Sequence, residues 1–227
     1  MRAAGLLHRG LPPRAVVAPP IDRRARIWDG PCRAATAAGG VPRYWLLGAH
    51  GGAGVSTLAW LLPHAADCCR WWPVPVRGET PFTVLVARET VSGLAAADAL
   101  VRQHHAGLAG GSRIVGMVTV AARPGRTPTV IRRDLRLYSA LVERWWRIGW
   151  HEDLIQQPLF ASSRGGASDI ESDSTPGDIA KVGSEVLAVI EDLTTGMKPT
   201  ETQAADGEVT ESQDTGATDA GPDEGRS

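Results

Sequence analysis

A glycine-rich turn at residues 48–57, GAHGGAGVST, limits the folds open to this chain more than any other segment. It follows the apolar run YWLL and precedes a second apolar run, LAWLL. Glycines between a buried strand and a helix let backbone N–H groups approach an anion, and the start of the helix adds a favourable partial charge. We therefore expect a strand, a phosphate-binding loop and a helix. The alternative is a tight strand-to-helix connection that binds nothing.

The rest of the chain repeats the same alternation. Strands are predicted at 43–49, 82–87, 113–121 and around 147–150, and helices at 54–66, at 92–107 with Ser92 as the cap, and from Thr127 onward. The last of these carries an apolar stripe with 4-3-4-3 spacing: Ile131, Leu135, Tyr138, Val142 and Trp145. Residues 67–81 hold three prolines and are predicted to be a loop. Crossovers of helical length predict an α/β fold with a parallel sheet and helices on both faces.

Composition divides the chain into five segments. They are a disordered Arg/Pro-rich arm (1–40), the α/β domain (41–160), a linker (161–174), an amphipathic helix (175–196) and an acidic disordered tail (197–227). Residues 199–227 contain eight acidic residues and one basic residue, with no aromatic side chain, which is too little apolar surface to fold. The tail is expected to keep the protein solvated, with an acidic docking tail as the alternative.

Targeting and metal signals are weak. No segment approaches the ~18 consecutive apolar residues of a membrane span, so a cytoplasmic protein is expected. The three cysteines, Cys32, Cys68 and Cys69, lack zinc-ligand spacing and do not suggest a disulfide framework.

The glycine turn resembles the deviant Walker A motif KGGxGK[ST][ST] of the MinD/ParA family of P-loop ATPases. His50 falls on that family's signature lysine, Val55 on the general P-loop lysine, and Ser56 and Thr57 on the two hydroxyl residues. The likeness covers 41–66 and, more weakly, 82–123. The wider pattern WLLGAHGGAGVSTLAWLLP with TVLVARETVSGLAAA also resembles an uncharacterised actinobacterial family associated with conjugative mobile elements.

The resemblance implies a reduced P-loop domain with Mg-ATP as the candidate cofactor. The implied nucleotide-binding residues are His50, Gly51, Gly52, Gly54, Val55, Ser56 and Thr57. In that family the residue at the position of Ser56 holds Mg²⁺.

The departures from the motif bear on activity. Both lysines are absent, and no lysine precedes Lys181. Losing one charge-assisted hydrogen bond to phosphate weakens binding about 10- to 150-fold. His50 either donates to a phosphate or is a polar residue of an exposed turn.

Acidic residues for Mg²⁺ and water are also hard to place from the sequence. Asp67 and Glu79 do not end an apolar run, and Glu89 is expected to cap or solvate the next helix. The family's adenine-contacting asparagine is replaced by Val120-Ala121-Ala122. Phosphoryl transfer depends on positioned cations and a placed nucleophile, so efficient hydrolysis is not expected.

Three hypotheses follow. The first is a non-hydrolysing scaffold or adaptor, with a protein partner, in plasmid or mobile-element maintenance or transfer. The second is a weak ATP- or GTP-binding protein with slow or partner-assisted hydrolysis. The third is a non-specific DNA-binding accessory protein, since ParA-like proteins bind DNA through basic surface residues.

Two surfaces are candidates for partners. Trp71 and Trp72 lie in the proline-rich segment, and paired tryptophans can serve as interface anchors or pack onto the domain. A basic cluster surrounds the start of the helix at Thr127: Arg123, Arg126, Arg132, Arg133 and Arg136. This cluster either contacts nucleic-acid phosphates or is a solvated face.

Overall fold

Parallel strands alternate with helices through the part of the chain that the computed structural model describes, which is residues 17–28, 30, 36, 39–75, 79–156 and 175–195. The strands are Tyr44–Gly48 (β1), Ala65–Asp67 (β2), Phe82–Arg88 (β3), Arg113–Val120 (β4) and Trp145–Ile148 (β5). The helices are Val55–Leu61 (α1), Val91–His105 (α2), Thr129–Ser139 (α3), Asp153–Gln156 (α4) and Gly177–Thr195 (α5), with a short 3-10 helix at Ile21–Arg23.

The five strands form one all-parallel sheet in the order β2-β1-β3-β4-β5. The predicted α/β fold with a parallel sheet is therefore confirmed. After β1 the chain forms β2 next to β1 on one side, and it later returns to form β3 next to β1 on the opposite side. Parallel sheets bind ligands at such a reversal, in the crevice beyond the carboxyl ends of the strands. The glycine loop (residues 48–57) lies at this point.

Helices cover both faces of the sheet, as the uninterrupted apolar strands predicted. On one face, α1 and α5 pack against Tyr44, Leu46 and Val84. On the other face, α2 packs against Trp45, Leu47 and Leu85. All five residues of β1 are buried, and its side chains point alternately to the two faces, so neighbours enter two different cores.

Several element boundaries differ from the prediction. α1 ends at Leu61, and the predicted loop at 67–81 begins inside β2. α3 ends at Ser139, so the predicted stripe is wrong beyond Tyr138, and Trp145 belongs to β5 instead. β5 has the exposed–buried alternation of a half-covered edge strand, which overrides the helical spacing.

Part of the predicted N-terminal arm is packed onto the domain. The Trp72 N–H donates to the Arg26 carbonyl at 2.7 Å, and the Trp28 N–H donates to the Trp72 carbonyl at 3.0 Å. The prediction of a disordered arm is therefore wrong for residues 17–28. Residues 1–16, the linker at 161–174 and the tail at 197–227 lie outside the described residues.

Candidate functional site

The glycine loop adopts a backbone path that requires glycine at two positions. Gly52 has φ of 77° and Gly54 has φ of 100°, both in the left-handed region that side chains with a Cβ rarely adopt. Gly54 is also the N-cap of α1. The path of the loop from Gly48 at the end of β1 to the start of α1 therefore depends on glycine at these two positions.

Asp67 lies directly beside the loop. β2 pairs with β1 in parallel and places Asp67 opposite Leu46, so its carboxylate stands at the carboxyl edge of the sheet. The Ser56 hydroxyl donates to Asp67 Oδ2 at 3.1 Å, and the Cys69 N–H donates to Asp67 Oδ1 at 2.7 Å. The expectation that Asp67 ends no apolar strand is therefore wrong. Its strand has only three residues, and two buried alanines gave little signal.

His50 and Val55, which stand at the two lysine positions of the Walker A motif, supply no cation to the loop. Val55 is buried, and its Cγ2 lies 2.9 Å from where a Cβ on Gly48 would stand. The His50 Nδ1–H donates to the Gly51 carbonyl at 2.8 Å, and Nε2 accepts from the Arg88 N–H at 3.2 Å. Both ring nitrogens are thus engaged with backbone. His50 holds the loop against the end of β3, which favours a structural role over donation to a phosphate.

Arg88 supplies positive charge beside the loop, which the sequence pattern did not reveal. Its Nε donates to the Gly52 carbonyl at 3.1 Å, and Nη1 donates to the Ala121 carbonyl at 2.8 Å. The guanidinium thereby joins the loop to the end of β4. In the described part of the chain Arg88 forms no ion pair with a carboxylate.

An open pocket of about 450 Å³, the loop pocket, lies over these groups. Residues 50–57 line it together with Asp67, Cys69, Arg70 and Arg88. Burial raises the pKa of the Cys69 thiol, and the charge of Asp67 raises it further, so the sulfur stays protonated at neutral pH. The pocket thus offers two guanidinium groups, one carboxylate and the hydroxyls of Ser56 and Thr57 to a ligand.

A smaller apolar pocket of about 80 Å³ adjoins the loop beyond Gly54. Val120, Ala121, Ile148 and Trp150 line it, and Arg88 lies on the boundary that it shares with the loop pocket. Its wall includes Val120 and Ala121, two of the three residues that replace the adenine-contacting asparagine of the MinD/ParA family. Val120 and Ala121 therefore supply no side-chain amide to this pocket.

Glu89 is a buried structural group. Its carboxylate receives Arg147 in a bidentate pair, with Nε 2.6 Å from Oε1 and Nη2 3.0 Å from Oε2. Thr127 also donates to Oε2, at 3.2 Å. The hydrogen bond that Arg147 donates to Glu89 raises the pKa of Arg147. The prediction that Glu89 caps or solvates a helix is wrong. Thr90 caps α2 in place of the predicted Ser92, by accepting from the Gly93 N–H.

The two candidate partner surfaces differ in exposure. Trp72 is fully buried, so the predicted pair of interface anchors is wrong for that residue. Trp71 is half-buried and packs on Trp28, with ring centroids 5.1 Å apart, and under Arg26. All five arginines of the basic cluster are exposed: Arg123, Arg126, Arg132, Arg133 and Arg136. Their contact with nucleic acid stays a prediction.

Searches of the described residues bear on metals and membranes. No group of three or more His, Cys, Asp or Glu side chains there could hold a metal ion by itself. Among the described helices, none has the length and hydropathy of a membrane-spanning segment.

Comparison with known proteins gives a single likeness. Residues 43–148, slightly under half of the chain, match a family of unknown function (DUF6668). The matched segment begins just before β1 and ends with β5, so it includes the whole sheet and the glycine loop. No curated protein and no solved structure matches the chain significantly.

Proposed function

We propose that this chain is a degenerate MinD/ParA-like P-loop protein that binds a Mg-nucleoside triphosphate weakly and acts as a non-hydrolysing scaffold or adaptor. The observation that carries the proposal is the 3.1 Å hydrogen bond between the Ser56 hydroxyl and the Asp67 carboxylate at the glycine loop. The proposed setting, plasmid or mobile-element maintenance or transfer, rests on the resemblance of the sequence pattern to an uncharacterised actinobacterial family associated with conjugative elements.

The Ser56–Asp67 pair fits Mg²⁺ chemically. Magnesium prefers oxygen ligands, and it usually combines one or two protein groups with water and phosphate oxygens rather than an all-protein cage. A hydroxyl and a carboxylate beside an open pocket match that preference. When bound, Mg²⁺ would neutralise part of the phosphate charge, and the protein needs to supply only these two groups.

Arg88 and Arg70 are proposed to replace part of the missing lysine charge. Both line the loop pocket, and neither forms an ion pair in the described part of the chain. Arginine binds phosphate through paired N–H donors. However, two of the Arg88 nitrogens already bond carbonyl oxygens, so fewer donors remain for a ligand than a free guanidinium has. Weak binding is the expected consequence.

Hydrolysis is proposed to be inefficient because no second acid serves the loop pocket. Asp67 is the single carboxylate among the described residues that line it, and it already accepts from Ser56 and from the Cys69 N–H. Glu89 is held by Arg147 on the neighbouring strands. Positioning an attacking water requires a group that is free to accept its hydrogen bond.

Calorimetric titration of the full chain with Mg-ATP and Mg-GTP tests the proposal. We expect saturable binding at high micromolar to millimolar concentration, lost in Ser56→Ala and kept in the matched control Ser184→Ala. Ser184 is an exposed serine on α5 whose hydroxyl bonds only within its helix. A parent chain that binds neither nucleotide, or binds it equally after Ser56→Ala, contradicts the proposed site.

A second candidate function is nucleic-acid binding by the basic cluster. The supporting observation is that Arg132, Arg133 and Arg136 are all exposed on α3 and form no ion pair with a described carboxylate. Binding to duplex DNA would weaken steeply with salt, because neutralised phosphates release counterions. Replacing the three arginines with glutamine should flatten that salt dependence, and an unchanged dependence would rule out this surface.

A further inference from the structure

A second open pocket, also of about 450 Å³, lies on the α2 side of the glycine loop. It shares Gly48, His50 and Arg70 with the loop pocket, so the two concavities are separated by the first residues of the loop itself. Its remaining wall comes from α2 and from the N-terminal segment around Arg23 and Arg24. We call it the arginine pocket.

The N-terminal segment is held in place by a buried amide. Gln103 on α2 accepts the Ala25 N–H at 2.9 Å and donates to the Ala25 carbonyl at 2.8 Å, so one side chain satisfies both backbone groups of that residue. Ile27 also packs against Gly110, where any added Cβ would lie 2.6 Å from the isoleucine Cγ2. The two arginines that precede Ala25 are thus carried on a fixed piece of backbone.

Positive charge exceeds negative charge in the arginine pocket. Arg23, Arg24 and Arg70 line it, against the single acid Asp22. In the described part of the chain none of the three arginines forms an ion pair with a carboxylate. Arg24 donates from Nε to the Pro19 carbonyl at 2.8 Å, which orients its guanidinium. A concave surface lined by charge of one sign raises the local concentration of the opposite ion.

Small side chains on α2 leave the arginine pocket open to a ligand. Ala95, Ala96 and Ala99 of α2 lie there, where longer side chains would fill the volume. The volume falls within the range of about 300–1,000 Å³ that is usual for small-molecule sites. A short anion with a few carbon or phosphorus centres therefore fits the space as well as the charge.

We propose that the arginine pocket binds the oxyanion group, phosphate or carboxylate, of a second small ligand beside the nucleotide loop. Arg23 and Arg24 hold the oxyanion, and the wall that both pockets share, with His50 and Arg70, sets the second ligand next to whatever the loop binds. The site is assigned from its own residues and does not require the loop pocket to bind nucleotide.

Titration of the full chain with two probes, succinate and pyrophosphate, tests this site. Succinate carries only carboxylates and pyrophosphate only phosphates, so the two arms tell which oxyanion is preferred. The variant is Arg23→Gln/Arg24→Gln, and the matched control is Arg132→Gln/Arg133→Gln, which removes the same charge from α3. We expect at least one probe to bind the parent, with a Kd raised about tenfold or more in the variant because charge-assisted hydrogen bonds are lost. The control should leave that Kd unchanged.

Further arms keep the two sites apart. Binding that Ser56→Ala leaves intact and Arg23→Gln/Arg24→Gln removes supports the arginine pocket, even where Mg-ATP itself does not bind. No binding of either probe to the parent, or an equal loss in the α3 control, overturns the proposal. A probe whose binding Ser56→Ala also removes belongs to the loop pocket, and the proposal is overturned if this holds for every probe that binds. Circular dichroism checks folding, and the single exposed substitution Arg23→Gln replaces the double variant if that one unfolds.

Discussion

The carboxyl edge of the sheet has two halves that treat charge in opposite ways. In the half around the glycine loop, Arg70 and Arg88, the last residue of β3, stand over an open pocket without a described carboxylate partner. In the half toward β4 and β5, Glu89 is buried and bound by Arg147 through two hydrogen bonds. There Asp178 also accepts the Gly149 N–H at 2.8 Å.

This difference separates structural charge from charge available to a ligand. A buried ion is costly unless it is paired, so the half toward β4 and β5 uses its charged groups to hold the ends of strands together. An arginine at an open pocket keeps its hydration and needs no partner for stability. Substitutions in the first half should therefore change ligand binding, and those in the second should change folding.

The largest expected effect is on stability. Arg147→Met leaves the Glu89 carboxylate buried without its cation, which should lower the free energy of unfolding by about 3 kcal/mol. The matched control is Arg43→Met, whose pair with Glu191 is exposed and should contribute less than about 1 kcal/mol. Urea unfolding measures both, and equal losses would contradict the contrast between the two halves.

A smaller effect, mainly on binding, is expected in the other half. Arg88→Gln removes the guanidinium at the loop and should weaken Mg-ATP binding about tenfold, by loss of a charge-assisted hydrogen bond. The cost in stability should stay near 1 kcal/mol per hydrogen bond lost. Arg126→Gln, an exposed arginine away from both pockets, serves as the control in the same titration. Unchanged affinity in Arg88→Gln would show that this cation does not serve the loop.

Restoring a lysine should have the opposite effect on the loop. Val55→Lys adds a cation at the loop pocket and should tighten Mg-ATP binding about tenfold or more. Because Val55 is buried, the same change should lower stability by about 1–2 kcal/mol. Val55→Met, which alters the packing without adding charge, should show no gain in affinity. A well-folded Val55→Lys protein with no tighter binding would mean that the loop cannot use the missing charge.

The smallest expected effect comes from a region that belongs to neither half. Burial lowers the pKa of His104, and the neighbouring His105 lowers it further, whereas a hydrogen bond with the Ser112 backbone opposes them. The unfolded chain therefore takes up a proton before the folded one as pH falls. Stability should decrease below about pH 6.5, the ordinary pKa of histidine. Thermal unfolding across pH 5–8 should be flatter in His104→Gln, and a parallel curve would contradict this source.

The sequence predicted the architecture better than the site. Long apolar strands such as β3 and β4, separated by helix-length segments, were enough to predict a parallel sheet with two covered faces. The short β2 escaped because its apolar signal is two alanines. For the same reason the sequence did not identify Asp67 as the partner of Ser56, because Asp67 reaches Ser56 only through the pairing of β2 with β1.

Long-range contacts explain the other errors. Glu89 and Arg147 are 58 residues apart in the sequence. They meet because Glu89 directly follows β3, Arg147 lies on β5, and β4 is the one strand between β3 and β5 in the sheet. The N-terminal segment looked disordered from its arginines and prolines, yet Gln103 fixes it from 78 residues away. Local composition does not encode such contacts, because they depend on strand order and on single polar side chains.

The most direct test of the central claim is the Mg²⁺ dependence of ATP affinity in the parent chain and in Asp67→Asn. If Ser56 and Asp67 hold the metal, Mg²⁺ should tighten ATP binding to the parent. That tightening should disappear in Asp67→Asn, while both proteins stay folded by circular dichroism. Two results would contradict the claim that this loop retains a working metal–phosphate site. One is an ATP affinity of the parent that does not change with Mg²⁺, and the other is an equal increase of the affinity by Mg²⁺ in the parent and in Asp67→Asn.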